Sequence, residues 1–153
     1  MEDLSIIGGY ITYASLMIGL ILALMELRHW HKTRKTEIIM NVYNRFSERE
    51  IIEVISKVGS SKYENFEDYR NKYGFTEVME LSTLFEGLGV LLQQKLIDIK
   101  MIDQFFSPKL SFLWDKMKPI IYGMRKYLNE PFYFSHFELI VNQLNLHRKT
   151  NKT

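Results

Sequence analysis

From Leu4 to Met25 the chain runs 22 residues without a charged side chain. At about 1.5 Å per residue, a helix of that length covers the ~30 Å hydrocarbon core of a bilayer. Glu2 and Asp3 precede the stretch, whereas Arg28, Lys32, Arg34 and Lys35 follow it. Basic residues are retained on the cytoplasmic side, so this asymmetry predicts an N-terminus outside and the bulk of the chain inside. A cleavable signal would place its positive charge first and end in small residues. Here Glu26-Leu27-Arg28-His29-Trp30 follows instead, which predicts an uncleaved, single-pass anchor in the plasma (inner) membrane. A buried core helix is the alternative, but such a helix normally shows a polar face over this length.

Small and weakly polar residues recur within the stretch: Gly8, Thr12, Ser15, Gly19 and Ala23. At ~100° per residue they fall within about 80° of arc, the kind of face through which helices associate in lipid. This predicts packing against a second copy or another membrane protein. Tyr10 and Tyr13 near one end and Trp30 near the other match the interfacial aromatic belts. Arg28, Lys32, Arg34 and Lys35 complete the interface, each attracted to anionic lipid by about 1 kcal/mol. His29 and His31 stand two residues apart and do not share a helical face, so they predict no metal site.

The whole chain of 153 residues suits one domain with an appendage, and it has no cysteine, which excludes disulfides, a thiolate nucleophile and Cys-based metal centres. Between residues 36 and 146 there are 13 Lys plus Arg against 15 Asp plus Glu. No polyanion-binding field results, and no nucleic-acid partner is predicted. The sequence divides into an anchor with its basic flank (1–35), a cytosolic helical domain (36–146) and a basic tail (147–153), read as a solvated, frayed end carrying Arg148, Lys149 and Lys152.

Helix signals dominate after the anchor. Thr36 to Phe46 continues it as a stalk, and Ser47-x-x-Glu50 reads as a capping box opening a helix with Ile51, Ile52 and Ile55. Phe66, Tyr69 and Tyr73 mark a short helix closed by Gly74. Val78, Leu81, Leu84, Phe85, Leu88, Leu91 and Leu92 form one stripe and predict the central helix. A short helix then carries Met101, Ile102, Phe105 and Phe106, and Ser107-Pro108 predicts a fresh helix start followed by Leu110, Leu113, Trp114, Met117, Ile121, Met124 and Leu128, kinked at Pro119. A second capping box, Ser135-x-x-Glu138, opens the last helix, with Phe137, Ile140, Val141 and Leu144 inward. The fold class is all-α: a transmembrane helix continuing into a stalk, then a bundle of about five helices.

Leu84-Phe85-Glu86-Gly87, Leu96-Ile97-Asp98, Trp114, Arg125 and Phe137-Glu138 resemble a family of small prokaryotic membrane proteins known only as a domain of unknown function. The resemblance spans residues 26 to about 145 and implies one N-terminal membrane helix and a cytosolic helical domain. It implies no reaction, cofactor or catalytic residue.

Glu86, Arg125 and Glu138 form the candidate polar network. Glu86, Ser82 and Gln93 point away from the leucine stripe, which predicts a solvated or inter-helix polar face. Arg125 shares a face with Lys118 and Tyr122 and can pair with Glu86 or Glu138. Such a pair is more often structural than catalytic. Gly87 and Gly89, each costing about 1 kcal/mol in a helix, predict a close helix crossing with Trp114 or a phenylalanine filling the space. No HExxH, GxSxG, P-loop or Asp-rich calcium loop occurs. The expectation is a non-enzymatic, membrane-tethered interaction or scaffold module without cofactor or metal. The alternative is a membrane effector or signalling subunit whose assembly responds to a ligand of the cytosolic domain.

Overall fold

Helical periodicity runs along the chain, and the structure follows it. The computed structural model describes residues 2–150, with side chains from Gly9 onward except that of Ile11. Among these residues there are six helices and no strand: α1 (Glu2–Phe46), α2 (Arg49–Ser60), α3 (Phe66–Tyr73), α4 (Thr76–Gln93), α5 (Ile99–Leu128) and α6 (Ser135–Thr150). The chain divides into two units, Met1–Glu37 and Ile38–Thr153.

The described residues of the first unit are all helical. Every side chain from Thr12 to Arg34 is exposed, including Leu16, Ile18, Ile21, Leu24 and Leu27. Thr12, Ser15, Gly19 and Ala23 lie on this helix, and a Cβ added at Gly19 would meet nothing within 4 Å. Gly8 lies outside the residues whose side chains are described, as does Lys152 at the other end. Among the described residues no helix is long and apolar enough to cross a membrane. The side chains of Leu4 to Gly8 and of Ile11, part of the uncharged stretch, are not among those described.

The second unit builds one apolar core. α6 packs against α4 and α5, α2 packs against the same two helices, and α3 against α5. Phe85 stacks on Phe137 with ring centroids 4.4 Å apart, and Trp114 meets Phe137 edge-on at 5.0 Å. The stripe on α4 is buried at Val78, Leu81, Phe85, Leu88 and Leu92, while Leu84 and Leu91 are half-buried. On α6 the four expected residues, Phe137, Ile140, Val141 and Leu144, are all buried. Gly74, at φ +72°, ends α3 in a conformation that favours glycine. Asn65 caps that helix, accepting from the Asp68 N–H at 3.0 Å.

Several sequence expectations need correction. Ser47 ends α1 rather than opening α2: its N–H and its hydroxyl both donate to the Tyr43 carbonyl, at 3.0 and 2.9 Å. Glu48 then stands at the cap position and is engaged by Arg45. Ser107-Pro108 starts no new helix, because α5 runs unbroken through Pro108 and Pro119. One buried stripe, Ile102, Phe106, Leu110, Leu113 and Met117, continues across Pro108 and holds it in place. Leu128 is exposed rather than buried. Ser82 is fully buried, its hydroxyl without a hydrogen-bond partner. The tail is helical to Thr150, and Arg148 is held by Asp103 at 3.1 Å and Ser111 at 3.3 Å rather than frayed. Phe132 is 81% exposed whereas Phe134 is buried.

Gly123 marks a close approach that sequence reading missed. A Cβ there would lie 2.3 Å from Cγ of Phe66 and 2.5 Å from its Cβ, so rotation of the ring alone cannot relieve the clash. Gly123→Ala is expected to destabilise the protein by about 2 kcal/mol in urea unfolding, as over-packed cores do.

Candidate functional site

The first turn of any helix exposes N–H groups without intrahelical partners, and it favours negative charge. At the start of α6 that demand is met from α4. Glu86 accepts the Phe137 N–H through Oε2 at 3.0 Å, and its Oε1 lies 2.7 Å from Nδ1 of His136. Gln93, two turns further along the same face, places Oε1 2.8 Å from His136 Nε2. Between them is Gly89, where a Cβ would stand 2.5 Å from the His136 carbonyl oxygen and 2.6 Å from its Cβ. Glu86, Gly89 and Gln93 thus form a seat for His136. The Gln93 amide can present either oxygen or nitrogen, so it serves the imidazole in either tautomer.

On the other side of the same helix start, Arg125 donates from Nε to the Tyr133 carbonyl and from Nη1 to Glu138 Oε2, both at 2.8 Å. Tyr122 donates to the other Glu138 oxygen at 2.5 Å. The Tyr122 ring lies beneath two cations, Arg125 at 5.0 Å and Lys118 at 5.5 Å. Arg125 is only 15% exposed in its side chain, and its Nη2 is buried without a partner. Burial pushes the Glu138 carboxyl up, but the hydrogen bonds from Tyr122 and Arg125 and the charges of Arg125 and Lys118 outweigh it, leaving Glu138 below the usual range. The hydrogen bond to Glu138, with burial second, raises the Tyr122 phenol.

Of the three network candidates, then, Arg125 and Glu138 meet, while Glu86 belongs to a separate cluster with His136. Both clusters clamp the start of α6. The expected capping box at Ser135 and Glu138 does not form, since Glu138 is taken up by Arg125 and Tyr122, and the Ser135 N–H donates to the Phe132 carbonyl at 3.0 Å. The close crossing expected at Gly87 and Gly89 exists at Gly89 only, against His136 rather than Trp114 or a phenylalanine. Gly87 has nothing within 4 Å of an added Cβ.

Sequence reading missed His136 altogether. The common face of Glu86 and Gln93 was visible, but nothing local names the residue that would fill it. Chemically the Glu86–His136 pair has the composition of an acid–base dyad, yet both ring nitrogens and both carboxylate oxygens are engaged within the protein. That leaves the imidazole no free nitrogen with which to reach a substrate proton.

Residues 13–144 match the family model for a domain of unknown function, DUF4760, and the chain belongs to that family. The matched stretch includes Glu86, Arg125, His136 and Glu138. Comparison with the curated proteins and with the solved structures found no match.

Proposed function

We propose that this chain is a non-enzymatic interaction module of a prokaryotic plasma membrane, tethered by its N-terminal helix with the second unit in the cytoplasm, and that the tether pairs with a second copy of itself. The observation that carries the reading is the uncharged stretch 12–25 of α1, every side chain of which is exposed. A helix apolar all round is stable only in a core or in lipid. The order of flanking charge, acidic before and basic after, supports the orientation. Thr12, Ser15, Gly19 and Ala23 supply a face on which helices can approach in lipid. The clamped start of α6, with its acid–base groups already paired, supports a scaffold rather than a catalyst.

Reconstitution of the full chain into vesicles of phosphatidylcholine and phosphatidylglycerol tests both parts of the proposal. The protein is expected to float with the vesicles on a density gradient and to cross-link there as a dimer. Gly19→Leu should still float but lose most of the cross-linked species. Protein left at the bottom of the gradient would overturn the tether, and undiminished cross-linking of Gly19→Leu would overturn the pairing face.

A further inference from the structure

We propose that the second unit pairs with a second copy of itself through the outward face of α4, the two helices crossing antiparallel at Gly87. Beside this face, α4 and the end of α1 leave an open apolar groove of about 500 Å³, whose lining includes Val42, Phe46, Leu84, Gly87, Leu88 and Leu91. The inference stands apart from the pairing of the tethers, because every residue it uses lies in the second unit.

The starting point is Gly87. It is exposed in the interior of α4, where glycine costs about 1 kcal/mol relative to alanine. Its φ is not positive, and an added Cβ would meet nothing within 4 Å, so neither backbone conformation nor packing within the chain calls for glycine here. What a position without a side chain on an exposed helix face admits is the close approach of another backbone. At ~100° per residue, Val90, Thr83, Gln94, Glu80, Leu91 and Leu84 fall within about 120° of arc, with Gly87 at its centre. Thr83, Val90 and Gln94 are exposed, and Glu80, Leu84 and Leu91 half-buried. Glu86 carries the one charge between Leu81 and Gln94, and it is turned towards α6, where it accepts the Phe137 N–H.

Charge names the occupant. One end of the face carries an acid, Glu80, and the other an amide and a base, Gln94 and Lys95, with no charge between them on that face. A parallel copy would set Glu80 against Glu80 and Lys95 against Lys95, which is repulsive at both ends. An antiparallel copy sets Glu80 against Gln94 and Lys95 twice over, because Glu80 stands seven residues before Gly87 and Gln94 seven after it. Such exposed pairs add little affinity but fix partner and register. The contact is isologous: Val90, three residues after Gly87, enters the groove beside Leu84 of the partner copy, three residues before it, and the same contact repeats across the two-fold axis. A partner without this order of charge would leave both ends unmatched.

The test uses the full chain in detergent and exploits its lack of cysteine. Glu80→Cys and Gln94→Cys are treated with a short bis-maleimide, each alone and as an equilibrated equal mixture, with Asn71→Cys on α3 as the measure of random encounter. In an antiparallel pair crossing at Gly87, residue 80 of one copy meets residue 94 of the other, whereas like residues stand about 21 Å apart, fourteen residues at ~1.5 Å each. The mixture is therefore expected to give at least about fivefold more cross-linked dimer than either variant alone or Asn71→Cys. The pattern is read and not the total, so chains whose tethers do not pair still give it. Gly87→Leu, introduced into both variants, is expected to keep Tm and remove most of the cross-link. Val90→Glu, on the exposed surface, should do the same and serves if Gly87→Leu lowers Tm. A mixture no better than the single variants or the control, or cross-linking confined to the single variants, would overturn the proposal. So would an undiminished cross-link in a Gly87→Leu or Val90→Glu protein of unchanged Tm, which would place the contact elsewhere.

Discussion

Gly89→Ala is expected to cost about 3 kcal/mol or more of stability, enough to remove a large part of what holds a domain of this size folded. Elsewhere in a helix the same change adds up to about 1 kcal/mol, because alanine is the better helix former. At Gly89 the added methyl would lie 2.5 Å from the backbone oxygen of His136, which cannot rotate away. α4 and α6 would have to separate, and the contacts of Glu86 with His136 and the Phe137 N–H would lengthen with them. Gly87 is the internal control, on the same helix and two residues away, with open space around an added Cβ. Gly87→Ala is expected to be neutral or to stabilise. Urea unfolding followed by circular dichroism measures both, and a gain of the same size at the two positions would show that helix propensity, not the crossing, governs them.

The second large effect is at Arg125. Replacing it by methionine keeps most of the volume but leaves the half-buried Glu138 carboxylate without its cation and the Tyr133 carbonyl without its donor. A loss of about 3 kcal/mol is expected in the same assay, in the range for breaking one partner of a buried pair. The pair also sets the response to acid. Because Glu138 in the folded protein lies below its ordinary value of 4.5, the unfolded chain binds more protons, and stability rises with pH through this region. The contribution is full above about pH 4.5 and is lost as pH falls through the folded value. Asp103 acts in the same direction: the Ser107 hydrogen bond, then Arg148, outweighs burial and holds it low. Glu138→Gln should therefore flatten the acid limb of a Tm-against-pH profile without abolishing it. An unchanged limb would mean that the pair contributes nothing to folding.

The helices of the second unit were legible wherever one apolar stripe settles a helix by itself. Phe137, Ile140, Val141 and Leu144 needed no tertiary information, and neither did the centre of α4. Boundaries were less legible, because Ser107-Pro108 has the chemistry of a helix start. What overrules it is the stripe from Ile102 through Phe106 and Leu110 to Leu113, which keeps its spacing across the proline and was present in the sequence to be read. The two capping boxes failed for a different reason. Ser47 and Glu138 have the right residue types, but Tyr43 offers Ser47 a carbonyl one turn back, and Arg125 offers Glu138 a charge-assisted bond stronger than a neutral cap.

The candidate network was half legible. Arg125 and Glu138 could be matched by charge, whereas the partner of Glu86 depends on the register of α4 against α6, which is set by Gly89. A glycine in a helix announces a close approach without naming what approaches. Gly123 and Phe66 make the same point.

The tether is tested most directly by the sidedness of its two ends. The chain contains no cysteine, so Asp3→Cys and Asn145→Cys each create a single labelling site in an otherwise unreactive protein. With a membrane-impermeant maleimide on intact cells, Asp3→Cys is expected to label at once, and Asn145→Cys only after the membrane is permeabilised. Recovery of both variants in the soluble fraction, or the opposite pattern of labelling, would contradict an N-terminus-out membrane anchor.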